Sequence, residues 1–294
     1  MKSFRFHILL LLLCAQLPCA AQHYIGVTVA GHAPRMVDHS RLTHPQWTGG
    51  GDLGLAYEWH NNHVLIHTGV RYALLNAVMA VDSQLLVQEM IDTRGVPFTY
   101  RGTLAERRDA AMAGQINVPL YVGGAWNGFY GMAGVNLAAV MHSQAIITAQ
   151  LKTVGDYNGR YYVDLEDMPN HGYHDYEPVA SHHPLTLAQF DVRLGAEAGY
   201  MFPLSHPSLH AQRIPVMRIG AFAEYGLINQ RTRSTENIPR TQPDYEHYMS
   251  IVMTHLYASS EEPYTTAHWF TFGMRITLLF PVSDSAFGHG CNCY

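Results

Sequence analysis

Long apolar runs, charge and cysteine are all scarce in this chain. Beyond the first 21 residues there is no run of 18 consecutive apolar residues, so we expect no membrane-spanning helix. Charged residues make up only 14% of the 294 residues, and the net charge of −5 comes with no basic cluster. This composition argues against a nucleic-acid partner. The 11% aromatic content and the 25 glycines favour a folded, β-rich protein over disorder.

The first 21 residues have the order of a secretory signal, with a basic start, an apolar run over 8–13 and small residues before Gln22. We expect cleavage after Ala21. A lipoprotein signal that uses Cys19 is the alternative, and Pro18 directly before that cysteine argues against it.

If the signal is removed, the mature chain keeps only Cys291 and Cys293, which lie in its C-terminal tail. Two cysteines and the nearby His289 are an incomplete zinc set. An exposed pair in an oxidising compartment is the simpler interpretation. We therefore predict no metal and no cofactor.

The stretch from Gln115 to His142 has the pattern of a membrane-spanning β-hairpin. Asn127-Gly128 at its centre is a strong hairpin signal, because both residues tolerate positive φ. Apolar residues alternate with small or polar ones on either side. A hairpin in lipid requires the rest of the chain to close a barrel around it, since lipid tolerates no open sheet edge.

Six further segments alternate with period 2 over lengths near the ~10 residues of a tilted transmembrane strand. With the two hairpin arms they are 23–30, 51–59, 63–78, 115–126, 129–142, 190–202, 217–227 and 268–280. Their connections alternate between short and long, which puts the short ones on one side, the periplasm. The pattern predicts an all-β protein, a transmembrane antiparallel up-and-down β-barrel of eight strands. The alternative is ten strands, with 247–257 paired to the 145–165 region.

The long connections are predicted to lie outside the membrane. The first covers 31–49, and the second covers 79–114 with a short helix near Gln84 to Met90. The third covers 143–187 and has a projecting hairpin at Asn158-Gly159; the fourth covers 229–266.

Aromatic residues stand at the strand ends next to the short turns, as in an interfacial aromatic girdle. The predicted girdle consists of Trp59, Trp126, Phe129, Phe202 and Phe280.

Charged residues collect on the faces predicted to point inward. They are Asp52, Glu58, Arg71, Asp191, Arg193, Glu197, Arg218, Glu224 and Arg275. The interior of an eight-stranded barrel is just wide enough for side chains to fill, and buried charges must pair. We therefore predict a paired network that plugs the lumen. An ion path or a proton relay is the alternative. Space for the arginines is expected from Gly195, Gly199, Gly220, Gly226 and Gly273.

Histidine is frequent, with 19 residues. The densest group is His171, His174, His182 and His183, with acidic residues nearby. A metal site in this loop is one interpretation. No H-x3-H or HExxH spacing occurs within this group, so we favour a solvated polar loop.

A lipid-modifying hydrolase would need a serine beside a histidine near the outer rim. The candidate pairs are His142 with Ser143 and Ser181 with His182. No GxSxG elbow occurs, and His142-Ser143 does not match the His-x-Ser pattern of barrel deacylases. We predict no catalytic residues and a non-enzymatic protein.

Three stretches carry a family resemblance: the signal end Ala20-Ala21-Gln22, the segment INVPLYVGG with Pro119 mid-strand, and the closing strand WFTFGMRITLLFP. With these the chain resembles the outer-membrane β-barrels of Bacteroidetes, the PorT-like barrels, which are related in architecture to the OmpA transmembrane domain. The resemblance implies the fold and an outer-membrane location, with Phe280 as the aromatic that the barrel-insertion machinery reads. It supplies no activity.

The expected organisation is a signal peptide at 1–21, a barrel at 22–281 and a periplasmic tail at 282–294. The expected function is structural, or interaction with an extracellular protein or ligand through the outer loops. Outer-membrane lipid and the insertion machinery are the other expected partners. The alternatives are an outer-membrane enzyme acting on lipid or peptide at the outer rim, and a narrow pore.

Overall fold

The computed structural model describes residues 22–38, 44–61, 64–92, 94–160, 164–166, 168, 173–184, 187–204, 214–230 and 266–282. The predicted signal, the 247–257 segment and the cysteine tail lie outside these residues. Within them, no helix is long and apolar enough to cross a membrane.

Ten strands account for most of the described chain. They are β1 Gln22–Asp38, β2 His44–Gln46, β3 Gly50–Asn61, β4 Val64–Ile91, β5 Pro97–Trp126, β6 Phe129–Asp156, β7 Glu177–Pro184, β8 Phe190–Pro203, β9 Val216–Gly226 and β10 Ala267–Pro281.

Eight of these strands close an antiparallel ring in the order β1-β3-β4-β5-β6-β8-β9-β10, and β10 pairs back onto β1. The remaining two lie outside the ring, β2 against β4 and β7 against β6. The predicted all-β barrel of eight strands is therefore confirmed, and the alternative of ten strands in the ring is wrong.

The outer surface of the ring is apolar, which is the reverse of a water-soluble protein. On β1, Ile25, Val27 and Val29 are about half exposed, while their neighbours Tyr24 and Thr28 are buried inside. The same alternation recurs around the ring. The exposed side chains include Leu53, Leu55, Val70, Leu120, Val122, Leu137, Leu194, Phe272, Met274 and Ile276. A continuous apolar band of this kind is stable in lipid, not in water.

The central hairpin turns where its sequence predicts. Asn127 has φ 51° and Gly128 has φ 84°, which is the left-handed geometry of a type I′ turn. The ring of Tyr200 lies against Gly128, where a Cβ atom would overlap it. Any larger residue at Gly128 would be strained both by its backbone and by this contact.

The helix predicted near Gln84 to Met90 is wrong. Strand β4 continues unbroken to Ile91 and pairs with β5 as far as Pro97. The first strand also continues past the predicted end, to Asp38. The reason is long-range pairing, since β5 supplies the hydrogen-bond partners that override local propensity.

Beyond the ring, β4, β5 and β6 continue as a sheet that β7 completes, and we call this sheet the extension. Its tip is the turn 92–96, where Asp92 Oδ1 accepts the backbone N–H groups of Arg94 and Val96 at 2.8 Å each. These bonds, chiefly that from Val96, lower the pKa of Asp92. The extension has its own apolar core of Phe98, Tyr100, Leu104, Ile147, Ala149, Leu151 and Tyr173.

A buried ion pair marks the junction of ring and extension. Arg107 Nε donates to Asp109 Oδ1 at 2.7 Å, and both side chains are buried. The β5–β6 register shifts between Ala105 and Arg108, with Glu106 at φ 50°. Because of this bulge, the alternation of buried and exposed residues along β5 differs between the extension and the ring.

The separate core of the extension predicts a local effect of Leu104→Ala. The deletion should cost about 2–5 kcal/mol, because Leu104 is fully buried there. Trypsin should then cut the extension much faster, while the ring still migrates as a compact, heat-modifiable band on a denaturing gel. Leu85→Ala is the matched control, since Leu85 is 65% exposed. Equal cleavage of the two variants would contradict the assignment of this core.

Candidate functional site

The nine charged residues predicted to point inward are all buried inside the ring. They come from β3, β4, β8, β9 and β10 and form one layer across the lumen. This layer consists of Asp52, Glu58, Arg71, Asp191, Arg193, Glu197, Arg218, Glu224 and Arg275, and we call it the charged layer.

At the centre of the layer two arginines bridge two carboxylates from different strands. Arg71 reaches Asp52 Oδ2 at 3.3 Å and Glu224 Oε1 at 3.2 Å. Arg275 reaches the same two oxygens at 3.3 and 3.6 Å. The four side chains therefore tie β3, β4, β9 and β10 together across the lumen.

Arg275 also connects this group to a second one. Its Nη1 lies 2.6 Å from Glu197 Oε2, and Arg218 Nη2 lies 3.3 Å from Glu197 Oε1. Arg218 donates in addition to Glu58 Oε1. The remaining arginine, Arg193, is held by Asp191 on its own strand, with 2.8 Å between Nε and Oδ2.

Three neutral side chains also donate hydrogen bonds to carboxylates of the charged layer, and they are not among the residues predicted from the sequence. Tyr121 donates to Glu224 Oε1 at 3.0 Å, and Asn136 donates to Glu224 Oε2 at 2.7 Å. Tyr130 donates to Glu197 Oε1 at 2.8 Å. All three occupy inward positions in the same alternation as the charges, so the period-2 pattern contained the signal that identifies them.

Glu58 has two histidine partners besides Arg218. His67 Nδ1 lies 2.9 Å from Oε1, and His60 Nε2 lies 2.8 Å from Oε2. The charged layer contains five carboxylates and four guanidinium groups, all buried. With all nine groups ionised the layer carries one excess negative charge. Buried uncompensated charge costs several kcal/mol.

The five glycines on inward positions do not make room for arginines, contrary to the prediction. A Cβ atom at Gly195 would overlap the hydroxyl of Tyr121, and one at Gly220 would overlap that of Tyr130. Gly226 borders Asp191, while Gly199 and Gly273 border the backbone of neighbouring strands. Gly195 and Gly220 therefore leave space for the hydroxyl groups of Tyr121 and Tyr130.

Buried apolar side chains share the lumen with the charged layer. In the half nearer the short turns they are Leu65, Tyr121, Tyr130 and Met132, with Tyr24, Ala56 and Leu279. There they lie among the charged side chains, since Tyr24 pairs with Glu58 and Met132 with Glu197. Towards the extension the largest are Met36, Leu75, Met79 and Trp269, all buried.

The five predicted girdle residues lie on the outer face next to the short turns. Trp126, Phe129, Phe202 and Phe280 are exposed, and Trp59 is half-buried. Phe129 and Phe202 both pack against Tyr200, with ring centroids 5.0 and 4.8 Å apart. A second aromatic group at the opposite ends of the strands was missed. It contains Trp47, Tyr225, Phe270 and Phe272.

The structure separates the candidate hydrolase pairs. His142 and Ser143 are successive residues of β6, so their side chains point to opposite faces. Ser181 and His182 are successive residues of β7. His142 lies on the outer face, and its ring stacks on Tyr72 at 6.5 Å. The register shift between Gly114 and Gln115 reverses its direction.

The described part of the histidine-rich loop is held by a histidine–carboxylate contact and by two ion pairs of a lysine. His174 Nδ1 lies 2.7 Å from Glu177, and Lys152 lies 3.1 Å from Glu166 and 3.3 Å from Asp175. These two carboxylates raise the pKa of Lys152. No group of three histidine, cysteine or acidic side chains in the described chain is placed to hold a metal ion. His171 lies outside the described residues.

A closed antiparallel ring of eight strands, apolar outside and charged at its centre, defines the class of protein. It is a transmembrane β-barrel. No protein-family model matches the chain, and no curated protein matches it.

The solved structures to which the chain shows a likeness include Ail, the attachment invasion locus protein of Yersinia pestis. The likeness has a TM-score of 0.29 at 10% identity and covers 88% of this chain and 99% of Ail. A second Ail structure, in complex with the heparin analogue sucrose octasulfate, has a TM-score of 0.26 at 9% identity over the same shares. Likeness at this level carries no argument about function.

The Asp191–Arg193 pair predicts the outcome of a double-mutant cycle. Arg193→Met leaves Asp191 charged and buried, so it should lower the free energy of unfolding by about 3–5 kcal/mol. Adding Asp191→Asn removes that charge and should recover much of the loss. Urea unfolding of the refolded barrel in detergent measures both. Additive effects of the two substitutions would contradict the pairing.

Proposed function

We propose that this protein is a non-enzymatic barrel of a bacterial outer membrane, with a plugged lumen and an interaction surface on its extension. The observation that supports the proposal is the burial and pairing of the charged layer. Each of its arginines has a carboxylate partner within 3.3 Å, and buried apolar side chains occupy the rest of the lumen. A path for ions needs water-accessible groups, and these side chains are buried.

The extension supports a surface role. It projects from the end of the ring opposite the short turns, beyond the apolar band. Leu85, Val87 and Ile91 on its β4 strand are 58–65% exposed. Large apolar side chains exposed outside lipid are typical of contact surfaces for other molecules. The partner would be an extracellular protein or ligand.

Export and assembly complete the proposal. Residues 1–21 would be a cleaved signal peptide, and 282–294 would be a periplasmic tail. Phe280 would be the aromatic read by the barrel-insertion machinery, and membership of the PorT-like barrels of Bacteroidetes is part of the same proposal. The apolar band supports the contact with outer-membrane lipid.

Conductance tests the plug. The wild-type protein in a planar bilayer should give no sustained current steps, and Arg275→Gln should leave this unchanged. The same substitution should lower the stability of the barrel, because Glu197 loses its closest charged partner at 2.6 Å. Steady, ion-selective steps from heat-modifiable protein, or from the folded variant, would favour the narrow pore instead.

Epitope tags test the orientation. A tag inserted in the turn 92–96 should bind antibody on intact cells, since that turn is the tip of the extension. A tag inserted at Asn127-Gly128, in the turn at the other end of the ring, should bind only after the outer membrane is opened. The reverse pattern would place the extension in the periplasm and end the proposed surface role.

A further inference from the structure

Arg35 lies on the lipid-facing side of β1, at the end nearer the extension. From the short turns towards the extension, Ile25, Val27 and Val29 on this face are about half exposed, and Arg35 follows on the same face. Ile25 pairs with Phe280 and Arg35 with Phe270. The separation along the strand matches the ~9–11 residues that cross the hydrocarbon. Arg35 therefore lies at headgroup level, in the leaflet on the side of the extension.

The aromatic ring of Trp47 forms a platform against which the guanidinium group of Arg35 lies. The Arg35 guanidinium lies 5.3 Å from the centre of the Trp47 ring. The Trp47 ring packs edge-on against Phe272 at 4.9 Å and lies 5.7 Å from Phe270. The next residue, Thr48, fixes the loop, since its N–H donates to Pro34 O at 3.2 Å and its hydroxyl donates to Asn76 O at 2.5 Å.

The positive charge of Arg35 is not neutralised in the described chain. Arg35 has no ion pair with a described residue, whereas the arginines of the charged layer each have one. Its Nε is buried without a hydrogen-bond partner, and so is Nδ1 of His268. His268 pairs with Val37, two residues beyond Arg35 on the same face of β1, and its ring stacks on Tyr225 at 5.9 Å.

We propose that Arg35, supported by Trp47 and with His268 beside it, binds the phosphate of an anionic lipid headgroup. A guanidinium offers paired donors that match phosphate oxygens, and an aromatic face holds it in position. The chain carries a net charge of −5, so its overall field repels anionic lipid. A preference for such lipid must come from a local site. This inference depends on the membrane placement of the ring, not on the plug or on the surface role.

The test measures lipid preference in the full-length protein. The barrel is refolded into vesicles of phosphatidylcholine with phosphatidylglycerol, extracted in mild detergent, and its retained lipids are counted by native mass spectrometry. The wild type should retain phosphatidylglycerol in excess of its share. Arg35→Gln should lower that preference about fivefold, the effect of one arginine near an anionic surface.

Arg101→Gln is the matched control. It makes the same charge change on the extension, where Arg101 pairs with Asp156 at 2.6 Å, and it should leave the lipid preference intact. Trp47→Leu keeps every charge and should still weaken the preference by removing the platform. Heat modifiability on gels confirms that each variant is folded.

Three results would overturn the proposal. Equal losses in the Arg35 and Arg101 variants would reduce the effect to net charge. An unchanged preference in Arg35→Gln or in Trp47→Leu would show that these side chains hold no headgroup. Loss of the retained lipid in millimolar inorganic phosphate would make free phosphate, not lipid, the ligand.

Discussion

The width of an eight-stranded ring is the constraint on which the rest of this structure depends. Such a ring holds side chains and little else, so whatever points inward must pack and pair with the opposite wall. In this protein many inward residues are large and charged. Arg71 reaches carboxylates on two other strands and Arg275 reaches carboxylates on three. Closing the ring therefore also brings these ion pairs together.

The neutral partners of the charged layer follow from the cost of burying charge. Burial strengthens the ion pairs but makes any unpaired group expensive. Tyr121 and Asn136 donate further hydrogen bonds to Glu224, and Tyr130 donates one to Glu197. Glu58 has two histidine partners as well as Arg218. The buried carboxylates therefore have neutral partners in addition to the arginines.

The extension depends on the ring but has a different stabilisation. Its strands are continuations of β4, β5 and β6, so the ring sets their direction and register. It has its own core of aromatic and aliphatic side chains. The bulge at Glu106 changes which of the alternating residues of β5 are buried. A rigid membrane anchor that carries a separately packed sheet is suited to present side chains to the surroundings.

The period-2 pattern was sufficient to predict the barrel, its eight strands, the turn at Asn127-Gly128 and the burial of all nine charges. That information is local, because alternation decides which face a residue takes. The pattern did not show that β4 continues through Gln84 to Met90, because only pairing with β5 makes that segment a strand. It also did not show which carboxylate meets which arginine, that Tyr121 and Tyr130 occupy the space at Gly195 and Gly220, or that Trp47 supports Arg35. Those contacts join residues far apart in the chain, and their geometry exists only once the ring has closed.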